Sequence, residues 1–234
     1  MMEKRMQDTI VLDEIPFEMD IEMLMKTLHV KEGSSYVKRL EPLVEQALTL
    51  ARPKAMYRIA FIESKEEDAV VVDGIQLRSR VLRVNLENVQ RLFPYVATCG
   101  VELETWANSI DDLLQRYWGE VINEMALRVA IKHLNHDVEE RYRPGRTSSM
   151  SPGSLGDWPI QAQRPLFQLL GDPKETIGVE LSDSLLMIPT KSVSGIRFPT
   201  ETSFASCQLC PRDRCPSRQA LYEPGLYESK YAAQ

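Results

Sequence analysis

The sequence predicts an α+β fold in which a largely antiparallel, twisted sheet is packed with helices. Residues 55–84 carry successive β-favouring runs, residues 101–141 form a long helical pattern, and residues 191–198 favour a strand again. Strands and helices that come in separate runs are typical of α+β domains. With 234 residues, of which 43% are hydrophobic, the chain is long and apolar enough for one large domain with a core.

The first fifty residues predict a short strand and two helices. Residues 10–12 are β-favouring, and Asp20 is placed to cap a helix that ends before Gly33. In residues 37–51 apolar side chains recur every three or four positions, which gives one apolar stripe along a second helix. Pro53 lies just past the end of that helix.

Residues 55–100 predict a group of strands with one short helix between them. The Asp73-Gly74 pair separates two β-favouring runs, a pattern typical of a hairpin. Asn85 is predicted to cap a short helix that continues through Leu92. The residues that follow, as far as residue 100, predict another strand.

The second half of the chain predicts mostly helix, followed by a loop and mixed elements. The helical pattern of residues 101–141 is predicted to break at residues 108–112. After a loop, the predicted elements are a helix, a strand, a helical turn and a final strand, at residues 161–170, 176–181, 183–187 and 191–198.

The loop that follows the long helix is the segment in which we expect a functional site. It is rich in Gly, Pro and Ser, including Pro152 and Gly153, and it also contains Trp158. A merely flexible linker would not need a tryptophan, so the segment predicts an ordered loop of tight turns. Ordered loops between long structured segments often carry binding residues.

Residues 99–198 resemble the reactivation domain of cobalamin-dependent methionine synthase, in particular its stand-alone members. The matching segments, in chain order, are SPG, GDWP, Gln163 with LFQLLG, IGVELSDS, Met187, Pro189 and KSVSG. A collinear series of this kind is more specific than one short motif. The resemblance implies a methionine synthase activation domain-like fold that binds S-adenosylmethionine and docks on a cobalamin protein.

The ligand motif of that family is only partly present. In the family, an Arg-x-Ala-Pro-Gly-Tyr segment contacts S-adenosylmethionine, and SMSPGS stands in its place here. Pro152 and Gly153 match, whereas Ser149, Ser151 and Ser154 stand where the family has Arg, Ala and Tyr. The first change removes a cation that would pair with the ligand's carboxylate. The last removes an aromatic face for the sulfonium or the adenine.

Two further residues are candidates for ligand binding. Arg146 lies three residues before Ser149 and is a candidate replacement for the missing cation. Glu124, on the predicted long helix, is the candidate for the carboxylate that the family directs toward the ligand amine. The predicted ligand-binding residues are therefore Glu124, Arg146, Ser151, Pro152, Gly153 and Ser154. The alternative is that SMSPGS is a scaffold turn and that the chain is a docking module without a ligand.

A cysteine cluster near the end of the chain predicts a metal site. Cys207, Cys210 and Cys215 have the spacing Cys-x2-Cys-x4-Cys, which suits one Zn²⁺ or one iron–sulfur cluster. Cys99, solvent or substrate can supply a fourth ligand. The redox context of the family favours the iron–sulfur cluster and a second function, the reductive activation of a corrinoid protein. The alternatives are unligated thiols or a disulfide.

Charge and composition restrict the expected location and partners. The net charge is −6 without any strongly basic run, which argues against nucleic acid as a partner. No apolar run is long enough to span a membrane, and the N-terminus lacks the apolar core of a signal peptide, so we expect a cytoplasmic protein.

The sequence has no cobalamin-binding signature of its own. The resemblance therefore implies that cobalamin is held by a separate corrinoid protein or methyltransferase. The sequence shows no nucleophile–base pair that would define a catalytic site of this chain. We expect one domain over residues 1–198 and a cysteine-rich tail over residues 199–234.

Overall fold

Strand β6 (Arg91–Thr98) lies at the centre of an eight-stranded sheet, and seven of its eight residues are buried. The computed structural model describes residues 9–215 and 218–232. On one edge β6 pairs with β2 (Lys54–Arg58) and then with β3 (Ala60–Lys65), and on the other edge it pairs with β10 (Ser192–Pro199). Every pairing between these strands is antiparallel, and helices pack on both faces, so the predicted α+β class is confirmed.

The remaining strands extend the sheet on both sides. β1 pairs with β2, β7 pairs with the outer edge of β10, and β4 and β5 continue outward from β3 as hairpins. A separate two-stranded ribbon joins β8 and β9. Their bounds are β1 (Thr9–Leu12), β4 (Ala69–Val72), β5 (Ile75–Arg78), β7 (Thr147–Met150), β8 (Glu180–Leu181) and β9 (Met187–Ile188).

The helices of the described residues differ widely in length. They are α1 (Ile21–Thr27), α2 (Val37–Leu50), α3 (Arg80–Asn85), α4 (Val101–Asn108), α5 (Leu113–Tyr142), α6 (Gln163–Leu170) and α7 (Pro173–Ile177). The side chains of Asp20 and Asp112 accept backbone hydrogen bonds at the starts of α1 and α5, as N-cap residues commonly do. Within the described part of the chain, no helix is both long and apolar enough to cross a lipid bilayer.

The two faces of the sheet are buried by different elements. Because side chains alternate along a strand, Tyr57 and Phe93 face α5, while Met56 and Val96 face the opposite side. That opposite side is covered by α3, α6 and the buried ring of Trp158. A third cluster packs α1, α2, α4 and the first half of α5 together.

Most predicted elements of the first half are found, with one correction. The strand at residues 10–12, the helix after Asp20, the second helix and the hairpin at Asp73-Gly74 are confirmed. The predicted helix from Asn85 through Leu92 is wrong, because α3 ends at Asn85 and β6 begins at Arg91. The helix begins at Ser79, whose hydroxyl accepts a hydrogen bond from the Leu82 amide at 3.0 Å.

The second half contains two further corrections. Residues 176–181 were predicted as one strand, but α7 extends through Ile177 and only Glu180–Leu181 form a strand, β8. Asp172 caps α7, and its carboxylate accepts a hydrogen bond of 3.1 Å from the Glu175 amide. Residues 183–187 were predicted as a helical turn, but residues 183–186 connect β8 to β9 and Met187 begins β9. In this connection the Ser182 amide donates a hydrogen bond to the Leu186 carbonyl. The final strand is confirmed as β10.

The segment after β10 packs against the rest of the chain. Phe204 and Tyr231 are buried in the cluster that contains Trp158, and their rings lie 6.1 Å apart. The Tyr231 hydroxyl donates a hydrogen bond of 2.9 Å to the side-chain oxygen of Asn85. The tail therefore contributes side chains to the core. The domain boundary at residue 199 stays a prediction.

Candidate functional site

The GDWP segment anchors the loop that was predicted to carry the site. Trp158 is fully buried, and its carbonyl accepts a hydrogen bond of 2.8 Å from the Gly153 amide. The Asp157 carboxylate accepts hydrogen bonds from the Ser79 hydroxyl and from the Arg80 and Val81 amides, at 3.2 and 3.0 Å for the two amides. The loop is therefore fixed to the start of α3 and to the core, as its tryptophan predicted.

The turn at residues 151–154 is closed by its own hydrogen bonds. The Ser154 amide and hydroxyl both donate to the Ser151 carbonyl, at 3.1 and 2.6 Å. Gly153 has a φ of +83°, a conformation that glycine adopts without strain. A Cβ at Gly153 would lie 3.1 Å from the Cδ1 atom of Ile160. The Ile160 side chain thus faces Gly153, one of the predicted ligand-binding residues.

Strand pairing brings several polar side chains together around one glycine, on the face of the sheet that α5 covers. Gly195 on β10 lies opposite Tyr95 on β6, and Arg197 lies opposite Ser149 on the edge strand β7. Ser151 follows two residues after Ser149 and reaches the same side. We call these five residues the edge cluster. Sequence reasoning predicted only Ser151 among them as a ligand residue.

Gly195 is required where the edge cluster is most crowded. A Cβ at this position would lie 2.6 Å from the Met150 carbonyl oxygen, 2.8 Å from Tyr95 Oη and 2.9 Å from Ser151 Oγ. Real Cβ atoms do not approach other atoms this closely, so the glycine allows the phenol and the serine to meet over the strand. Burial raises the pKa of the Tyr95 phenol, and the hydroxyl groups of Ser151 and Ser149 partly oppose that rise.

Arg197 is the cation of the edge cluster. Its Nη1 donates a hydrogen bond of 2.5 Å to the Thr147 hydroxyl, whereas its Nε is buried and has no hydrogen-bond partner among the described residues. Burial lowers the pKa of Arg197, and the electrostatic influence of the nearby Tyr95 and Glu139 side chains acts in the opposite direction. An arginine nevertheless stays protonated in proteins, so Arg197 remains a cation with an unused donor.

Two other predicted ligand residues, Glu124 and Arg146, have their contacts outside the edge cluster. Glu124 lies on α5 and forms an ion pair of 2.6 Å with Arg128 one turn later, with both side chains partly exposed. Arg146 precedes β7, and its Nη1 donates a hydrogen bond of 3.1 Å to the Glu201 carbonyl. The assignment of both residues to ligand binding stays a prediction.

Arg146 lines a cleft with a volume of about 640 Å³. The cleft lies where β6 begins and β10 ends, and it also contains Arg91, Lys230, Glu87 and the exposed ring of Phe61. Its size is within the usual range for small-molecule sites. The turn at residues 151–154 does not belong to its lining, so the two predicted parts of the ligand site do not share this cavity.

The backbone carbonyls of two tail cysteines accept hydrogen bonds from an arginine. The Arg218 guanidinium donates hydrogen bonds to the carbonyls of Cys207 and Cys210, both at 3.2 Å, and the Gln219 amide approaches the Cys207 sulfur at 3.4 Å. Among residues 9–215 and 218–232, no group of three or more His, Cys, Asp or Glu side chains is arranged to hold a metal ion. Cys207, Cys210 and Cys215 therefore remain a predicted metal site that the geometry does not support.

The environment of Cys99 disfavours the thiolate form that a metal ligand requires. It is fully buried at the end of β6, in the cluster built by α1, α2, α4 and α5, and its thiol contacts the Gly100 carbonyl at 3.5 Å. Burial raises the pKa of this thiol to about 12, whereas the thiolate is the form that binds metal. Iron, sulfide and zinc analysis of protein purified without oxygen tests the whole cysteine assignment.

Comparison with solved structures identifies a protein of similar fold. The structure described as "Crystal Structure of the MetH Reactivation Domain bound to AdoHcy" superposes with a TM-score of 0.59, covering 84% of this chain and 80% of that one. This chain has the fold of the MetH reactivation domain. The two sequences are 13% identical over the match, so the likeness concerns the fold. No family model and no curated protein matches the sequence.

Proposed function

We propose that this chain is a reactivation module for corrinoid-dependent methyl transfer. In this proposal it binds S-adenosylmethionine or a related ligand and docks on a separate cobalamin protein. The observation that carries the proposal is the fold likeness to a methionine synthase domain bound to AdoHcy, over 84% of the chain. The collinear motifs give independent support, because the first, SPG, lies on the turn and the last, KSVSG, lies on the strand that build the edge cluster.

The edge cluster offers chemistry that suits the polar part of an S-adenosyl ligand. Hydroxyl groups of Ser149, Ser151 and Tyr95 can donate and accept hydrogen bonds, and Arg197 adds a charged donor. A guanidinium pairs strongly with a carboxylate when both are shielded from water. The corrinoid would supply the methyl-transfer chemistry, and this chain would hold and orient the methyl donor.

Ligand binding is tested by calorimetry on the full chain. We expect saturable binding of S-adenosylmethionine and of AdoHcy with one site per chain. Adenosine serves as a control for contacts made by the nucleoside alone. Failure of the folded protein to bind either S-adenosyl compound would contradict the ligand part of the proposal.

Docking is tested separately with corrinoid proteins of the native host. We expect the purified chain to co-elute with at least one of them in size-exclusion chromatography, in the cobalamin-loaded form. Absence of association with every corrinoid protein of the host would contradict the docking part, whatever the result for the ligand.

A docking module without a ligand is the second candidate. The closed turn favours it, because the Ile160 side chain faces Gly153 and the Ser154 hydroxyl satisfies the Ser151 carbonyl. This candidate predicts association with a corrinoid protein together with no measurable binding of S-adenosylmethionine. The two measurements described above therefore distinguish it from the first candidate.

A further inference from the structure

The β7–β10 pairing places a guanidinium beside the position of the missing family arginine. Arg197 and Ser149 are direct partners in the antiparallel ladder. Side chains of direct partners leave the sheet on the same face, with Cβ atoms about 4.5–5.5 Å apart. The Arg197 guanidinium does reach over β7, because its Nη1 donates a hydrogen bond to the hydroxyl of Thr147, which lies two residues before Ser149 on the same face of the strand.

The hydrogen bonds of Arg197 show that its donors are not all used. Nη1 is held by the Thr147 hydroxyl, but the buried Nε has no partner among the described residues. Buried polar groups nearly always have a partner, and an exception needs an explanation such as an absent ligand. An acceptor placed beside Nε would remove the cost of leaving this donor unpaired.

No carboxylate of the described chain pairs with Arg197. Glu139 on α5 acts on it through space, but Glu139 is exposed and the structure shows no ion pair between the two. Tyr95 and the two serines of the cluster are uncharged. The edge cluster therefore carries a positive charge that is not neutralised by a direct contact, and an anionic group is the complementary partner.

From these observations we propose that Arg197 binds the carboxylate of the S-adenosyl ligand, with the cation on β10 replacing the one absent at Ser149 on β7. This inference rests on the proposed function, since it assigns a residue to one group of that ligand. It also makes Arg197 a specificity-determining residue, because it distinguishes ligands that carry a carboxylate from those that do not.

The test compares two ligands that differ only in the carboxylate. S-adenosylmethionine and decarboxylated S-adenosylmethionine are titrated calorimetrically into the wild-type chain and into Arg197→Gln. We expect Arg197→Gln to lose affinity for S-adenosylmethionine by about tenfold or more, as for a lost charge-assisted hydrogen bond. Its affinity for the decarboxylated compound should equal that of the wild type.

Three variants make this comparison specific. Arg78→Gln removes an exposed arginine of β5 and should leave both affinities unchanged. Arg197→Lys keeps the charge but loses the planar donor fork, and we expect an intermediate affinity for S-adenosylmethionine. The exchange variant Ser149→Arg with Arg197→Ser returns the cation to β7 and should recover most of the lost affinity. It also provides the test if Arg197→Gln does not fold.

The outcomes separate this inference from the proposed function. Equal losses for both ligands, or no loss for either, in a folded Arg197→Gln would overturn the role of Arg197 while the ligand proposal stands. A folded wild-type chain that binds neither S-adenosylmethionine nor its decarboxylated form contradicts the proposed function, and the inference is lost with it.

Discussion

The Tyr57 hydroxyl donates a hydrogen bond of 2.5 Å to the Asp137 carboxylate, which links the centre of the sheet to the long helix α5. The same oxygen atom accepts a hydrogen bond of 2.7 Å from Arg141 one turn later. Tyr57 is fully buried, so its hydroxyl has no access to water as a substitute partner. This contact fixes the position of α5 over the face of the sheet that carries the edge cluster.

A double-mutant cycle measures this contact. We expect Tyr57→Phe and Asp137→Asn each to lower the free energy of unfolding by about 1–2 kcal/mol, since each removes one partner of a part-buried hydrogen bond. The two losses should not add, because the residues share one interaction. Urea denaturation of the two single variants and the double variant gives the coupling, and strictly additive losses would contradict it.

Asp137 also predicts a dependence of stability on pH. Burial alone would raise the pKa of Asp137, but hydrogen bonds from Arg141 and Tyr57 outweigh burial, and the pKa lies below its ordinary value. A depressed pKa in the folded state contributes stability at pH values above the unfolded-state pKa of about 3.9. That stability is lost as the pH falls through the folded-state pKa. We expect Asp137→Asn to show a smaller acid-induced loss, measured by urea denaturation at several pH values between neutral and strongly acidic. An unchanged pH profile would argue against this assignment.

Asp157 explains part of the GDWP motif and gives the next prediction. Its carboxylate caps the start of α3 through the Arg80 and Val81 amides, although it is distant in the sequence. Asp157→Ala should lower the free energy of unfolding by about 1–2 kcal/mol, as for other N-cap losses. Asp183→Ala, in the exposed turn between β8 and β9, is the matched control and should have little effect. Similar effects of both substitutions would contradict the capping role.

The same contact shows why the sequence misplaced α3. Local signals are sufficient where the interacting residues are neighbours, as for the Asp73-Gly74 hairpin or the helix capped by Asp20. The start of α3 is fixed by Ser79 together with Asp157 from a distant loop, and no pattern within a short window contains that information. Asn85 is a good capping residue type, so the local sequence predicts the beginning of a helix at the residue where α3 ends.

The candidate site was found only in part for a similar reason. The loop motif predicted Ser151, because its residue types resemble a known ligand segment. Arg197 lies in a strand that was predicted correctly, but its position beside Ser149 depends on the register between β7 and β10, and β7 itself was not predicted. A charged residue two positions after Gly195, on the same face of that strand, was the signal that could have indicated it.

The tail gives a prediction about the domain boundary. Tyr231→Ala should lower the free energy of unfolding by about 3–5 kcal/mol, the range for large aromatic truncations in a core. Tyr231→Phe, which loses the hydrogen bond to Asn85, should cost about 1 kcal/mol. Tyr222→Ala, at a partly exposed tail position, is the control. If a chain that ends at residue 198 were as stable as the full chain, the tail would be separable and this prediction would be wrong.

Gly195 provides a test that joins packing to ligand binding. In Gly195→Ala the new methyl group would meet the Met150 carbonyl at 2.6 Å and the Tyr95 hydroxyl at 2.8 Å, so the strand or the phenol must move. Overpacking of this kind costs about 1–3 kcal/mol of stability. Because Tyr95 and Ser151 belong to the edge cluster, we also expect weaker binding of S-adenosylmethionine.

The control for this test is Gly156→Ala, in the same loop region as the predicted ligand turn. A Cβ at Gly156 would have no atom of the described residues within 4 Å, so its alanine variant should keep both stability and affinity. Urea denaturation gives the free energy of unfolding of the two variants, and calorimetry gives their affinity for S-adenosylmethionine. A Gly195→Ala variant that is destabilised but binds S-adenosylmethionine with wild-type affinity would place the ligand away from the edge cluster. The cleft that contains Arg146 would then be the site to examine by substitution.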